Sequence, residues 1–224
     1  MRKALVRLIL PVLLASLPSM AAAQELSADD QKTLYALGRS MSHGLSPFML
    51  SPAELDVVQA GIRDGVLGTG QTVDLPAAQG KIQALQRSRA KTVATAEKKA
   101  GQEYLEKMAT APGATRTQSG LIITTLEPGA GDSPKADDRV KAHYQGTLID
   151  GAVFDSSRQR GEAATFSVNG VIACWTEALQ LMKVGGKSRL VCPSAIAYGD
   201  RGVPGRIKPG ATLVFEVELL DIVK

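Results

Sequence analysis

At 224 residues, with 44% hydrophobic and 21% charged side chains, the chain can bury a core in one or two domains and is not composed like a disordered protein. Its formal net charge of +4 shrinks when the first residues are set apart, because three of the 26 Lys+Arg fall there, leaving 23 against 22 Asp+Glu, or +1. So even a balance gives no electrostatic footprint for nucleic acid or an anionic membrane.

The N-terminus reads as an export signal. Arg2, Lys3 and Arg7 make a positive segment, Leu8 to Leu17 an apolar one, and Ala21-Ala22-Ala23 before Gln24 a small-residue cleavage site. The apolar run falls short of the roughly 20 residues that span a bilayer. The expectation is a signal peptide over 1–23 and a mature protein in the periplasm, with outer-membrane association or secretion as variants of the same route.

From Ser27 to about Thr110 the pattern is helical. Ser27 can cap a helix in which Leu34, Leu37, Met41 and Leu45 recur at helical spacing. Ser51-Pro52-Ala53-Glu54 joins an N-cap serine, a proline at the first helical position and a glutamate at the third, and Leu55, Val58 and Ile62 share a face behind it. Gly68, Gly70 and Asp74 to Pro76 interrupt the pattern. The run from Ala77 to Met108 has no proline and a thin apolar stripe of Ile82, Leu85, Tyr104, Leu105 and Met108, which suits one long, at least partly exposed helix. Segments with so little apolar surface need a partner, and association with a second copy is favoured over packing back on the same chain.

At Ala111-Pro112-Gly113 turn residues become frequent and β-rich runs follow at Gly120 to Leu126, Arg139 to Leu148, Lys187 to Cys192 and Thr212 to Ile222. One amphipathic helix, from about Cys174 to Lys183, stops at Gly185-Gly186. The fold class is α+β: an antiparallel sheet around one short helix, preceded by an all-α region. Strand alternation puts Val140, Ala142 and Tyr144 on one face, and Leu213, Phe215, Val217 and Leu219 on a face away from both Glu216 and Glu218. Trp175, Leu179 and Met182 share a helix stripe. Tyr144, Phe215 and Trp175 can therefore meet between sheet and helix, an arrangement that by itself also describes a plain core.

Five segments decide more than that. Tyr144-Gln145-Gly146-Thr147-Leu148, Phe154-Asp155-Ser156-Ser157, Val171-Ile172-Ala173-Cys174-Trp175, Ala197-Tyr198-Gly199 and Ala211 to Leu219 resemble, in order and spacing, the FKBP-type peptidyl-prolyl cis-trans isomerase domain over residues 112–224, with its core motifs in 138–224. The helical part resembles exported, dimeric members of the macrophage infectivity potentiator and FkpA type, which implies a dimerisation region over 24–75 and a linker helix over 76–111. The resemblance implies an apolar pocket for a proline ring, floored by Trp175 and walled by Tyr144, Phe154, Val171, Ile172 and Phe215, with Ile207 at its rim. The Ile172 backbone N–H and the Tyr198 hydroxyl would bond the peptide, and Asp155 would sit at the edge, oriented by Tyr144 and Arg160. It further implies proline-containing or unfolded polypeptides as partners, a homodimer, chaperone activity and a capacity for macrolide inhibitors.

The sequence departs from the family at Ala164, where small members carry a pocket phenylalanine for which Phe166, two residues on and on the same strand face, can partly compensate as a substrate-binding residue, and at Val203-Pro204, where they carry His-Pro. Cys174 and Cys192 stand where glycine and an aliphatic residue are usual. An exported chain with two cysteines admits a disulfide between them, and two buried thiols equally. No G-x-S-x-G, nucleotide loop or metal-ligand cluster occurs in the sequence, and prolyl isomerisation requires no cofactor or metal. His43 and His143 read as ordinary surface residues. The rival to an isomerase is a holdase that uses the same pocket without catalysis.

Overall fold

A computed structural model describes residues 26–223, so the signal segment expected over 1–23 lies outside the described residues. The chain divides into two compact units between Ser40 and Met41.

Helix α1 (Ala28–Ser42) starts where the Ser27 hydroxyl accepts the Asp30 N–H at 3.1 Å, with Asp29 and Asp30 at the positive end of the helix dipole. A 3₁₀ turn follows at Ser46–Phe48, then α2 (Pro52–Leu67). The capping box of α2 is complete: the Ser51 hydroxyl accepts the Glu54 N–H, and the Glu54 carboxylate accepts the Ser51 N–H at 2.9 Å. Gly68, at φ 65°, closes the helix in a left-handed conformation. Neither α1 nor α2 buries a single residue.

Helix α3 (Leu75–Ala109) has 35 residues and so runs about 50 Å. Its first half leaves Leu75, Ile82 and Leu85 exposed. Its second half is docked, with Ala94, Gly101 and Leu105 buried. The helix is thus partly exposed, and its second half packs back on its own chain, the alternative to association with a second copy. Tyr104, Leu105 and Met108 belong to a core with Ile122, Val191 and Val214 of the same chain, so that part of the apolar stripe is covered without a second copy. The reason is the sheet, which has a second apolar face at that place.

The sheet contains β1 (Ala114–Arg116), β2 (Ile122–Glu127), β3 (Arg139–Leu148), β4 (Val153–Ser156), β5 (Ala164–Ser167), β6 (Lys187–Cys192) and β7 (Leu213–Val223). All pairings are antiparallel, in the order β1-β2-β6-β7-β3-β4, and β5 also pairs with β3. Alternation assigns the faces. Leu190 and Cys192 of β6 and Leu213, Phe215, Val217 and Leu219 of β7 join the main core, while Val191 and Val214 between them join the core under α3. Helix α5 (Ala173–Leu181) covers the main core with Cys174, Trp175, Ala178 and Leu179. A disulfide joins Cys174 at its start to Cys192 at the end of β6. A single turn, α4 (Ser157–Arg160), follows β4 directly.

Candidate active site

Adjacent strands β3 and β7 build one wall of the site. Gly146 pairs with Phe215, and a side chain at Gly146 would stand 2.6 to 2.9 Å from the rings of Phe154 and Phe215. A glycine in mid-strand therefore has a physical cause, since two aromatic rings lie across its Cα. Tyr144, two residues earlier and on the same face, meets the Trp175 ring edge-on at 5.2 Å. Phe166 lies opposite Val140 in the β3–β5 pairing and contacts both Tyr144 and Trp175 edge-on, at 5.7 and 5.4 Å. Phe215 closes the ring on Trp175 at 5.4 Å and on Phe154 at 5.6 Å. These edge-to-face contacts hold the rings in one arrangement.

Together these residues line a hollow of about 470 Å³ with Asp155, Gly170, Val171, Ile172 and Tyr198. Trp175 is only 4% exposed, and its indole N–H is buried without a hydrogen-bond partner among the described residues. Tyr198 is 39% exposed and stands at the mouth. Ile172 is the N-cap of α5, with φ −60° and ψ 148°, so its own N–H precedes those that the helix uses.

A polar triangle sits at the edge of the apolar cup. The Tyr144 hydroxyl donates to Asp155 Oδ2 at 2.6 Å, the Arg160 guanidinium donates to the Tyr144 oxygen at 2.8 Å, and Arg160 also binds Asp155 Oδ1 at 2.5 Å. Burial alone would raise the Asp155 pKa, but the hydrogen bonds from Tyr144 and Arg160 outweigh it and hold the carboxyl below its ordinary value. Burial first, and the bond to Asp155 second, push the Tyr144 phenol up. At neutral pH the triangle is thus a carboxylate, a neutral phenol and a guanidinium.

Ile207, expected at the rim, is buried in the main core that also holds Tyr144, Trp175 and Phe215, and it lines a second hollow. A bridge between Val203 and Ile207 holds its backbone, with the Val203 N–H on the Ile207 carbonyl at 2.7 Å. Ala164 and Phe166 sit two apart on β5, and the phenylalanine alone reaches the hollow. Two contributors were given no role from sequence. Gly146 is one. Ser157 is the other: its buried hydroxyl accepts the Tyr144 N–H at 2.8 Å and donates to the Tyr144 carbonyl at 3.2 Å, which fixes that stretch of β3 to α4. Both lie inside the motif segments, where glycine in a strand and serine before a helical turn were the available signals.

Comparison with known proteins agrees with this geometry. The model of the FKBP-type peptidyl-prolyl cis-trans isomerase family matches residues 131–220, and that of the domain amino terminal to FKBP-type peptidyl-prolyl isomerase matches 30–123. The FKBP-type peptidyl-prolyl cis-trans isomerase FkpA of Escherichia coli K12 is 39% identical over 206 residues, spanning 87% of this chain and 76% of the relative.

The chain belongs to the FKBP-type peptidyl-prolyl cis-trans isomerases.

The FKBP-type 22 kDa isomerase of the same strain is 42% identical over 195 residues, covering 84% of this chain and 93% of that one. The crystal structure of E. coli FkpA superposes with a TM-score of 0.66 at 37% identity, over 88% of this chain and 98% of that chain. The activity of this FKBP-type protein is prolyl cis-trans isomerisation, and its architecture is the family's sheet and helix behind an N-terminal helical region.

Proposed function

We propose that the hollow around Trp175 is where this isomerase holds and turns prolyl bonds. The observation that carries the reading is a cup of five aromatic rings with the Tyr144–Asp155–Arg160 triangle fixed at its edge. The proline ring sits over the Trp175 indole between Tyr144, Phe154, Phe166 and Phe215. The Ile172 N–H and the Tyr198 hydroxyl hold peptide oxygens, and the triangle keeps the Tyr144 ring in place.

Such a cup accelerates rotation by what it excludes. Turning a prolyl amide breaks its resonance at a barrier of about 18–20 kcal/mol and takes tens to hundreds of seconds unaided. The planar amide carries charge separated onto oxygen and nitrogen, and water stabilises it; the twisted amide carries less. Moving the bond from water into an apolar cup penalises the planar form more, so the site binds the twisted form better than the flat one. A 10⁵-fold acceleration needs only about 7 kcal/mol of this difference. No proton moves and no covalent bond forms.

The same proposal makes residues 24–75 a dimerisation region, 76–111 a linker helix and 112–224 the isomerase domain of an exported, periplasmic homodimer with chaperone activity. It is supported by α1 and α2, which bury nothing and expose Leu37, Val57, Val66 and Leu67 by more than half. Two cups on one dimer gain avidity for unfolded chains. Light scattering from the mature protein is expected to give twice the monomer mass, and a monomer contradicts the arrangement. The same exposed surface favours the holdase as the second reading. Proline-limited refolding with Asp155→Leu separates the two: a slowed catalysed phase with aggregation still suppressed is expected, and refolding equally fast in wild type, variant and buffer would leave the holdase alone.

A further inference from the structure

A second hollow, of about 520 Å³, is lined by the loop that follows Tyr198 of the aromatic cup. Its walls come from the 3₁₀ turn with Met49, from Gln86, Arg87 and Ala90 of α3, and from residues 200–209 of the loop. Pro47, Met49, Leu148 and Ile207 give it an apolar lining. The charges around that lining are unbalanced. Lys208 is held by Glu97 at 2.9 Å, and Asp200 by Lys98 at 2.5 Å. That leaves Arg87, Arg201 and Arg206 at the hollow with no carboxylate within ion-pair distance among the described residues. Met49 is also the one non-glycine residue with positive φ among them, at 48°, a strained conformation of a kind that gathers at functional sites.

The two hollows are neighbours along two stretches of backbone. Tyr198 lines one and Asp200 the other, and Leu148 of the second lies two residues beyond Gly146, over which the Phe154 and Phe215 rings sit. Two residues of chain span at most about 7 Å, so an extended polypeptide leaving the cup reaches the second hollow within a few residues.

We propose that this hollow is a second subsite for the polypeptide client, taking an apolar side chain flanked by acidic residues on the stretch next to the bound proline. The inference rests on the reading of the aromatic cup as the prolyl site. A small anion would leave the apolar lining unused, and a purely apolar segment would leave three guanidiniums without a partner. An acidic, apolar peptide satisfies both and adds specificity through charge complementarity.

The test uses the mature full-length protein and two fluorescent, proline-free peptides, one alternating Leu with Glu and the other Leu with Lys. Anisotropy is expected to show binding of the acidic peptide alone, weakened about tenfold by Arg87→Glu with Arg206→Glu and weakened by added salt. Binding in Trp175→Ala is expected to match wild type. Equal binding of both peptides, no binding of either, or an unaltered affinity in the double variant overturns the subsite. Loss of binding in Trp175→Ala would place the peptide in the aromatic cup and overturn it as well. Wild-type exchange of a prolyl tetrapeptide, too short to reach the second hollow, reports separately on the prolyl site.

Discussion

Gly101 of α3 lies so close to Thr212 that a Cβ on the glycine would overlap the threonine hydroxyl. Thr212 is 4% exposed and leads directly into β7, which carries Phe215 to the aromatic cup three residues later. Two residues before Thr212, a Cβ on Gly210 would strike the backbone of Ala94. The long helix thus packs at close range on the segment that leads into one wall of the cup.

This joint predicts opposite outcomes for one substitution at two places on one helix. Gly80→Ala has no heavy atom within 4 Å of the new methyl and should stabilise by roughly 1 kcal/mol through helix propensity. Gly101→Ala gains the same propensity but must force Thr212 aside, an overpacking cost of about 1–3 kcal/mol, so it should destabilise or at best break even. Urea denaturation of both variants checks the contrast, and equal gains would mean that the joint yields.

How much of this was legible in the chain depends on element length. Residues 139–148 and 187–192 show their alternation plainly, and β3 and β6 run over those residues. Strands β1 and β4 have three and four residues, too few for a period of two to stand out, and they exist because a neighbouring strand edge is there to pair with. Gly101 reads in sequence as a weakness in a helix, and only the approach of Thr212 gives it a cause. That Ile207 also lines a second hollow was not legible, because the turn between Val203 and Ile207 lies in a loop of glycines and prolines whose geometry is not written in apolar spacing. The cup itself was legible through the motif segments; its edge-on ring order was not.

The Glu54–Arg89 ion pair ties α2 to α3, and it predicts an acid response. The hydrogen bonds from Arg89, and then those from Ser51, lower the Glu54 pKa from an ordinary 4.5 to about 2. A depressed carboxylate pKa stabilises the fold above its unfolded value and loses that contribution as pH falls through the folded one. The pair should therefore be intact at pH 4.5 and lost as pH falls toward 2. An NMR titration of the Glu54 side chain is expected to show a midpoint near 2, whereas a midpoint at the ordinary value would mean that the pair is not formed in solution.

The Cys174–Cys192 disulfide joins residues 18 apart and pins the start of α5, next to Trp175, to β6. Constraining a loop of that length in the unfolded chain is worth about 3 kcal/mol in the chain-entropy model. Denaturation with and without reductant should differ by about that amount. Coincident curves would show that the bridge contributes no stability.

Because the chemistry moves no proton, catalysis should not follow titration of the site. Asp155 is charged and Tyr144 neutral from about pH 5 to 9, given a carboxyl held below and a phenol held above their ordinary values. Tetrapeptide kcat/KM should be flat over that range and nearly equal in light and heavy water. A bell-shaped profile or a twofold isotope effect would point to a proton in flight and to a different mechanism.

The most direct test of the cup is NMR exchange spectroscopy on a prolyl tetrapeptide with the wild-type protein and Trp175→Ala, each with its fold checked by circular dichroism. Wild type should bring cis–trans exchange from tens of seconds into the subsecond range, about a hundredfold or more, and the folded variant should lose at least nine-tenths of that acceleration. Wild-type exchange in a folded Trp175→Ala protein would show that rotation happens somewhere other than over this indole.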